Sequence, residues 1–113
     1  MGDRGNICVH YGDKGTRRVY LYTHWQGSSL PQLVANVLAL PYARRRWKDE
    51  SYLARILFCA LVAPGADPET GFGIAPYESE PENPTVHVWP ERGVAWVGKG
   101  LKWSFMTFID KYK

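Results

Sequence analysis

Apolar and polar positions alternate with a period of two at the start of the chain. Ile7, Val9 and Tyr11 alternate with Cys8 and His10, and beyond Gly12-Asp13-Lys14-Gly15 the residues Val19, Leu21, Thr23 and Trp25 alternate with Tyr20, Tyr22 and His24. Successive side chains of a strand face opposite ways, and the glycines and aspartate between the two runs supply turn chemistry, so the stretch predicts a β-hairpin. The period then changes. Leu30, Leu33, Val34, Val37 and Leu38 recur at the helical spacing i, i+3, i+4, i+7, i+8, which predicts a helix over about 30 to 40. Ser28 or Ser29 is available as its cap, and Pro31 is tolerated in the first turn, where an N–H would have no helical partner.

Pro41 ends that helix, and Tyr42-Ala43-Arg44-Arg45-Arg46-Trp47-Lys48 leads to Asp49. Asp49 is a suitable N-cap for a second helix bearing Tyr52, Leu53, Ile56, Leu57, Ala60 and Leu61, closed by Pro64-Gly65. Residues 65 to 71 read as loop. Phe72 to Tyr77 has the alternation of a short strand, whereas Glu78-Ser79-Glu80-Pro81-Glu82-Asn83-Pro84 reads as too charged and proline-rich to pack. Thr85 to Trp89 and Val94 to Val97 predict a second hairpin across the turn Pro90-Glu91-Arg92-Gly93. Ser104 can cap a last amphipathic segment with Phe105, Phe108, Ile109 and Tyr112 on one face; a strand with Trp103, Phe105, Thr107 and Ile109 inward is the alternative.

The implied order is ββααβββα. Both helix stripes and the alternating strand faces need one shared core, which predicts an α+β fold: a predominantly antiparallel sheet of about five strands, one face covered by the helices. The other face would carry Tyr20, Tyr22 and His24 toward solvent, an aromatic surface suited to recognition. Residues 1–113 read as one domain, a length sufficient to bury a core without metals or bridges.

Composition narrows the class. Hydrophobic residues make up 45% and aromatics 14%, with five tryptophans, which excludes an intrinsically disordered chain. No apolar run approaches the roughly 20 residues that span a bilayer, and the N-terminus lacks the apolar core of a signal peptide, so a cytoplasmic protein without membrane contact is expected. In that compartment Cys8 and Cys59 are expected to stay reduced. The net charge of +3 is uneven: residues 1–63 carry nine Lys/Arg against four Asp/Glu, and residues 64–113 carry five against seven. A basic half attracts anionic partners, although a solvated surface accounts for the same numbers.

Three constellations bear on chemistry. His24 leaves a strand at a corner with Trp25 and Ser28, where a histidine could serve as base to a hydroxyl nucleophile, but no acid stands at a spacing that would orient the ring. His10, His24 and His87 fall on separate strands with no Cys-x-x-Cys or His-x-x-x-His spacing, so neither a metal nor a cofactor is expected. Arg44, Arg45, Arg46 and Lys48 form a basic patch around Trp47, a combination that grips nucleotides or single strands, unless Trp47 is simply a core connector. Arg55, within the second helix, either lies along its polar edge or reaches toward His24.

Gly2-Asp3-Arg4-x-Asn6, Tyr22-x-His24-Trp25-x-Gly27-Ser28-x-Leu30-Pro31, Arg46-Trp47-x-Asp49-x-x-Tyr52-Leu53-x-Arg55-Ile56 and Thr70-Gly71-x-Gly73-Ile74 together resemble a family of small bacterial and phage proteins of no established function. The resemblance covers most of residues 1 to 77. It implies one compact α+β domain and groups Asp3, Arg4, Asn6, His24, Trp25, Arg46, Trp47, Asp49 and Arg55 as one recurrent set. The chain departs from that pattern in its acidic stretch at 78–84 and in Thr107, where a capping-box acid would fit.

With no complete catalytic set, the reading is a non-enzymatic binding protein carried by a phage or mobile element. Its partner would be anionic: a nucleotide, a nucleic acid, or a host complex that handles nucleic acid, as for a counter-defence inhibitor. The ligand-binding candidates are Arg4, His24, Trp25, Ser28, Arg46, Trp47 and Arg55. A small hydrolase or nucleotide-processing enzyme using His24 is the alternative. Exposed strand edges and a tryptophan-rich face leave room for a homodimer.

Overall fold

The computed structural model describes residues 2–65 and 71–113. The expected first hairpin is β1 (Gly5–Tyr11) and β2 (Arg17–Thr23), paired antiparallel with Ile7 opposite Leu21 and Val9 opposite Val19. A single 3-10 turn, Gly27–Ser29, leads into α1 (Leu30–Leu38), and α2 (Pro41–Arg44) is one short turn inside the basic connector. Helix α3 (Glu50–Val62) starts where Asp49 accepts a hydrogen bond from the Tyr52 N–H at 3.3 Å. There follow β3 (Phe72–Ala75), β4 (Val86–Trp89), β5 (Val94–Val97), β6 (Trp103–Ser104) and α4 (Phe105–Tyr112). Most of the loop expected over 65–71, including Thr70 of the last motif, lies outside the described residues.

The sheet has six strands in the order β3-β2-β1-β4-β5-β6 and is mixed. Five antiparallel-leaning strands were the expectation; β6, two residues beside Val94 and Ala95, is the addition. Among the described residues the single parallel pairing joins β1 to β4, with Cys8 beside His87. The chain returning from α3 first adds β3 to the outer edge of β2 and then crosses to the free edge of β1, where β4 runs the same way as β1. The last segment resolves the alternative left open above: Trp103 and Ser104 pair as strand, and Ser104 then caps a helix by accepting from the Thr107 N–H at 3.2 Å.

One face of the sheet is dry. Ile7, Val9, Leu21, Val86, Val88 and Ala95 pack there against Leu30, Val34 and Leu38 of α1, Leu53, Leu57 and Leu61 of α3, and Phe105 and Phe108 of α4. Burial of this many aliphatic and aromatic groups, each contributing about 1.5–3 kcal/mol, is the main driving force for the fold. The opposite face carries Asn6, Cys8, His10, Arg18, Tyr20, Tyr22, His87 and Trp96 by the period-of-two rule. Tyr20, Tyr22 and His24 are half-buried, as the pattern implied.

That face is less open than expected, because residues 78–84 do pack. Ser79 and Glu82 make backbone-level bonds to Asn6 and Arg4, and Thr85 bonds the Glu78 carboxylate. Charge did not prevent packing here, since the stretch is held by hydrogen bonds and by the Arg4 ion pairs to Glu80 and Glu82 at 3.4 and 3.2 Å. No helix among the described residues is long and apolar enough to cross a membrane.

Candidate functional site

The corner between β2 and α1 is built as a hydrogen-bonded joint. The backbone N–H of Asp3 donates to the His24 carbonyl at 2.7 Å, and that of Gly27 donates to the Asp3 carbonyl at 2.7 Å. Ser28 donates to the Asp3 carboxylate through both its N–H and its hydroxyl, so neither Ser28 nor Ser29 supplies the expected side-chain cap of α1. Those bonds, with one from Asn83, hold the Asp3 carboxyl below its ordinary range. His24 Nδ1 pairs with the Tyr22 hydroxyl at 3.0 Å, and Trp25, half exposed, lies across Gly71. Gly71 has φ +99°, a conformation that suits glycine.

Among the described residues the Ser28 hydroxyl bonds the Asp3 carboxylate and His24 Nδ1 the Tyr22 hydroxyl, and no hydrogen bond joins His24 to Ser28. Arg4, the other candidate of this corner, faces Glu80 and Glu82.

The remaining candidates collect elsewhere. Trp47 donates from Nε1 to the Leu38 carbonyl at 3.0 Å and meets Phe105 edge-on at 5.2 Å, which makes it the core connector rather than a stacking platform. The exposed ring beside the basic connector is Tyr52. The Arg46 guanidinium stands 4.2 Å from its ring centroid while pairing with Asp49 at 3.3 Å. Beside it a groove of about 390 Å³ is lined by Tyr42, Tyr52, Arg55, Ile56 and Cys59, with both tyrosines about half exposed. Arg55 lies exposed along the edge of α3 and borders this groove rather than the corner with His24. Arg44, Arg45 and Lys48 are exposed on the adjoining connector, where Arg44 rests 5.2 Å from the Trp47 ring.

The groove runs along α3, its lining reaching Ala60 and Ala63, and the corner and the Arg46–Tyr52 pair meet opposite ends of that helix. Gln26 of the corner bonds the Leu61 carbonyl at the end of α3, whereas Arg46 and Tyr52 stand at its beginning. The 13 residues between Glu50 and Val62 span about 20 Å at 1.5 Å per residue.

A third cluster escaped the sequence reading. Cys8 and His10 lie two apart on β1 and so share a face, and the parallel register sets His87 beside Cys8. His10 Nε2 lies 2.9 Å from His87 Nδ1 and 3.5 Å from the Cys8 sulfur. The His87 ring stacks on Trp96 at 4.8 Å with planes 8° apart. Cys8 is fully buried and His10 is 5% exposed. Burial pushes the Cys8 thiol up to about 11 and the His87 imidazolium down to about 4, with His10, Arg18 and Lys102 adding to the latter; burial also lowers His10. Only the Cys8/His10 alternation was visible locally; the third member depends on a pairing between distant segments. Cys59 is exposed on α3, on the helix side of the sheet, and both cysteines are free thiols.

Comparison of the chain with protein-family models, with curated proteins and with solved structures gives no match.

Proposed function

We propose that the chain is a non-enzymatic binding protein whose groove along α3 takes a nucleotide or a short single-stranded nucleic acid. The observation that carries this reading is the pairing of Arg46 with Tyr52 at 4.2 Å on the rim of a groove that Tyr42 and Arg55 also line. A base has a flat π-face and stacks on a tyrosine whatever its identity, while its phosphates need cations within reach. Arg55 supplies one at the groove, and Arg44, Arg45 and Lys48 extend the field along the connector. Binding of this kind is tolerant of sequence and sensitive to salt.

The test is fluorescence anisotropy with a labelled oligothymidylate at low salt, with ATP as a competing arm. Wild-type protein is expected to bind, and Tyr52→Ala to weaken binding by about tenfold, within the 1–3 kcal/mol of one stacked base. Arg55→Gln is expected to weaken it as well. Absence of binding to either probe, or equal affinity in both variants, overturns the reading.

A further inference from the structure

We infer that Cys8, His10 and His87 form a binding site for a thiophilic d10 metal ion, Cu⁺ in preference to Zn²⁺. Three donor atoms, one sulfur and two imidazole nitrogens, all lie within 4.8 Å of one another on one face of the sheet. Donors around a tetrahedral or trigonal d10 ion stand about 3.3–3.7 Å apart, from metal–sulfur and metal–nitrogen bonds of about 2.3 and 2.0 Å. The Cys8–His10 separation of 3.5 Å already meets that, the His10–His87 separation of 2.9 Å needs a small opening, and Cys8 and His87, within 4.8 Å, must close toward one another.

The surroundings fit a ligand set. His10 Nδ1 faces the Gly15 carbonyl at 3.3 Å, so its proton stays there and the Nε2 lone pair points at the cluster; a backbone carbonyl in this position commonly orients a ligating histidine. That one lone pair then meets two would-be donors, the Cys8 S–H and the His87 Nδ1–H, and can satisfy one well. An ion removes the conflict. The thiol proton leaves to solvent as the metal–sulfur bond forms, and His87 binds through Nδ1 with its own proton on Nε2. The Trp96 ring, parallel to His87, fixes the imidazole plane. Tyr20, opposite Cys8 in the β1·β2 register, lines an open cleft with Arg18 and Glu78.

Charge selects between ions. Arg18 sits opposite His10 in the β1·β2 register, and the Lys102 ammonium stands 4.8 Å above the Trp96 ring. Thiolate with Cu⁺ is neutral, whereas thiolate with Zn²⁺ leaves a positive charge among buried groups beside two cations, which costs more the drier the site. One soft sulfur and three donors in all also suit Cu⁺.

The experiment uses the full chain with Cys59→Ser, which removes the exposed thiol. Protein is titrated anaerobically with Cu⁺ against a chromogenic Cu⁺ chelator, and separately with Zn²⁺ against a chromogenic zinc chelator. One Cu⁺ retained per chain is expected, and Cys8→Ser or His87→Gln should each weaken retention at least about tenfold. Circular dichroism of each variant reports whether it folds. Independently of any variant, the imidazole resonances of His10 and His87, but not of His24, should shift when one equivalent of Cu⁺ is added. Stronger retention of Zn²⁺ overturns the choice of ion. No retention of either, or shifts confined to His24, overturns the site and leaves the cluster a hydrogen-bonded strut.

Discussion

Asn6 and Ser79 exchange a pair of hydrogen bonds: the Asn6 amide donates to the Ser79 carbonyl at 2.8 Å and the Ser79 N–H donates to Asn6 Oδ1 at 3.1 Å. Through them a fully buried strand side chain stands in for a strand neighbour and ties the acidic stretch to the sheet. Asn6→Ala removes both bonds and strands two backbone groups, so it should lower stability by about 1–3 kcal/mol. Asn6→Asp keeps the acceptor and loses the donor, and should be comparably harmful. Urea denaturation with an unchanged slope reads both.

Replacing Arg44, Arg45 and Arg46 together by Gln should weaken oligonucleotide binding and flatten its dependence on salt, because fewer phosphates are neutralised. The melting temperature should move little. The three side chains are exposed, and the Arg46–Asp49 pair is a surface pair within one turn. Affinity measured across a salt series, beside a thermal melt, checks both halves.

His24→Ala should cost about 0.5–1.5 kcal/mol, the usual contribution of one hydrogen bond, here to the Tyr22 hydroxyl. Oligonucleotide affinity should stay at the wild-type value, since the corner stands at the far end of α3 from Arg46 and Tyr52. A loss of binding without loss of stability would place the partner at the corner instead.

The Asp3 carboxyl is held below its ordinary value of 3.8 by Ser28 and Asn83. The unfolded chain therefore takes up the proton first as pH falls, and the stabilisation, fully present above about pH 4, disappears below it. Asp3→Asn should make the acid limb of the stability curve shallower. Urea midpoints collected between neutral pH and about pH 3 give the comparison.

Legibility followed distance along the chain. Asp49 and Ser104 were readable as caps because a cap and its N–H partner are three residues apart, and both make that bond. Arg46 and Arg55 were readable as cations open to an anionic partner, while Tyr52, the ring beneath Arg46, passed for an ordinary helix position. Trp47 was ambiguous because the same residue suits a core or a stacking face, and only the Leu38 and Phe105 contacts decide it. The β1·β4 register joins segments about eighty positions apart. No local period encodes such a pairing, so His87 could not be joined to Cys8 and His10 in advance.

That register also divides the sheet along a seam. β3, β2 and β1 are linked by two antiparallel ladders, β4, β5 and β6 by two more, and among the described residues a three-residue parallel ladder from Ile7–Val9 to Val86–Val88 is the only strand pairing between the halves. The β1·β2, β4·β5 and β5·β6 pairings close short loops and can zip early, whereas β2·β3 and the seam each close a loop that runs through the helices, and the seam's, from Val9 to Val86, is the longer and so the costlier in loop-closure entropy. Cys8 and His10 stand on one bank of it and His87 on the other. Anything that bridges those three side chains acts as a rivet across the joint whose two sides lie farthest apart along the chain.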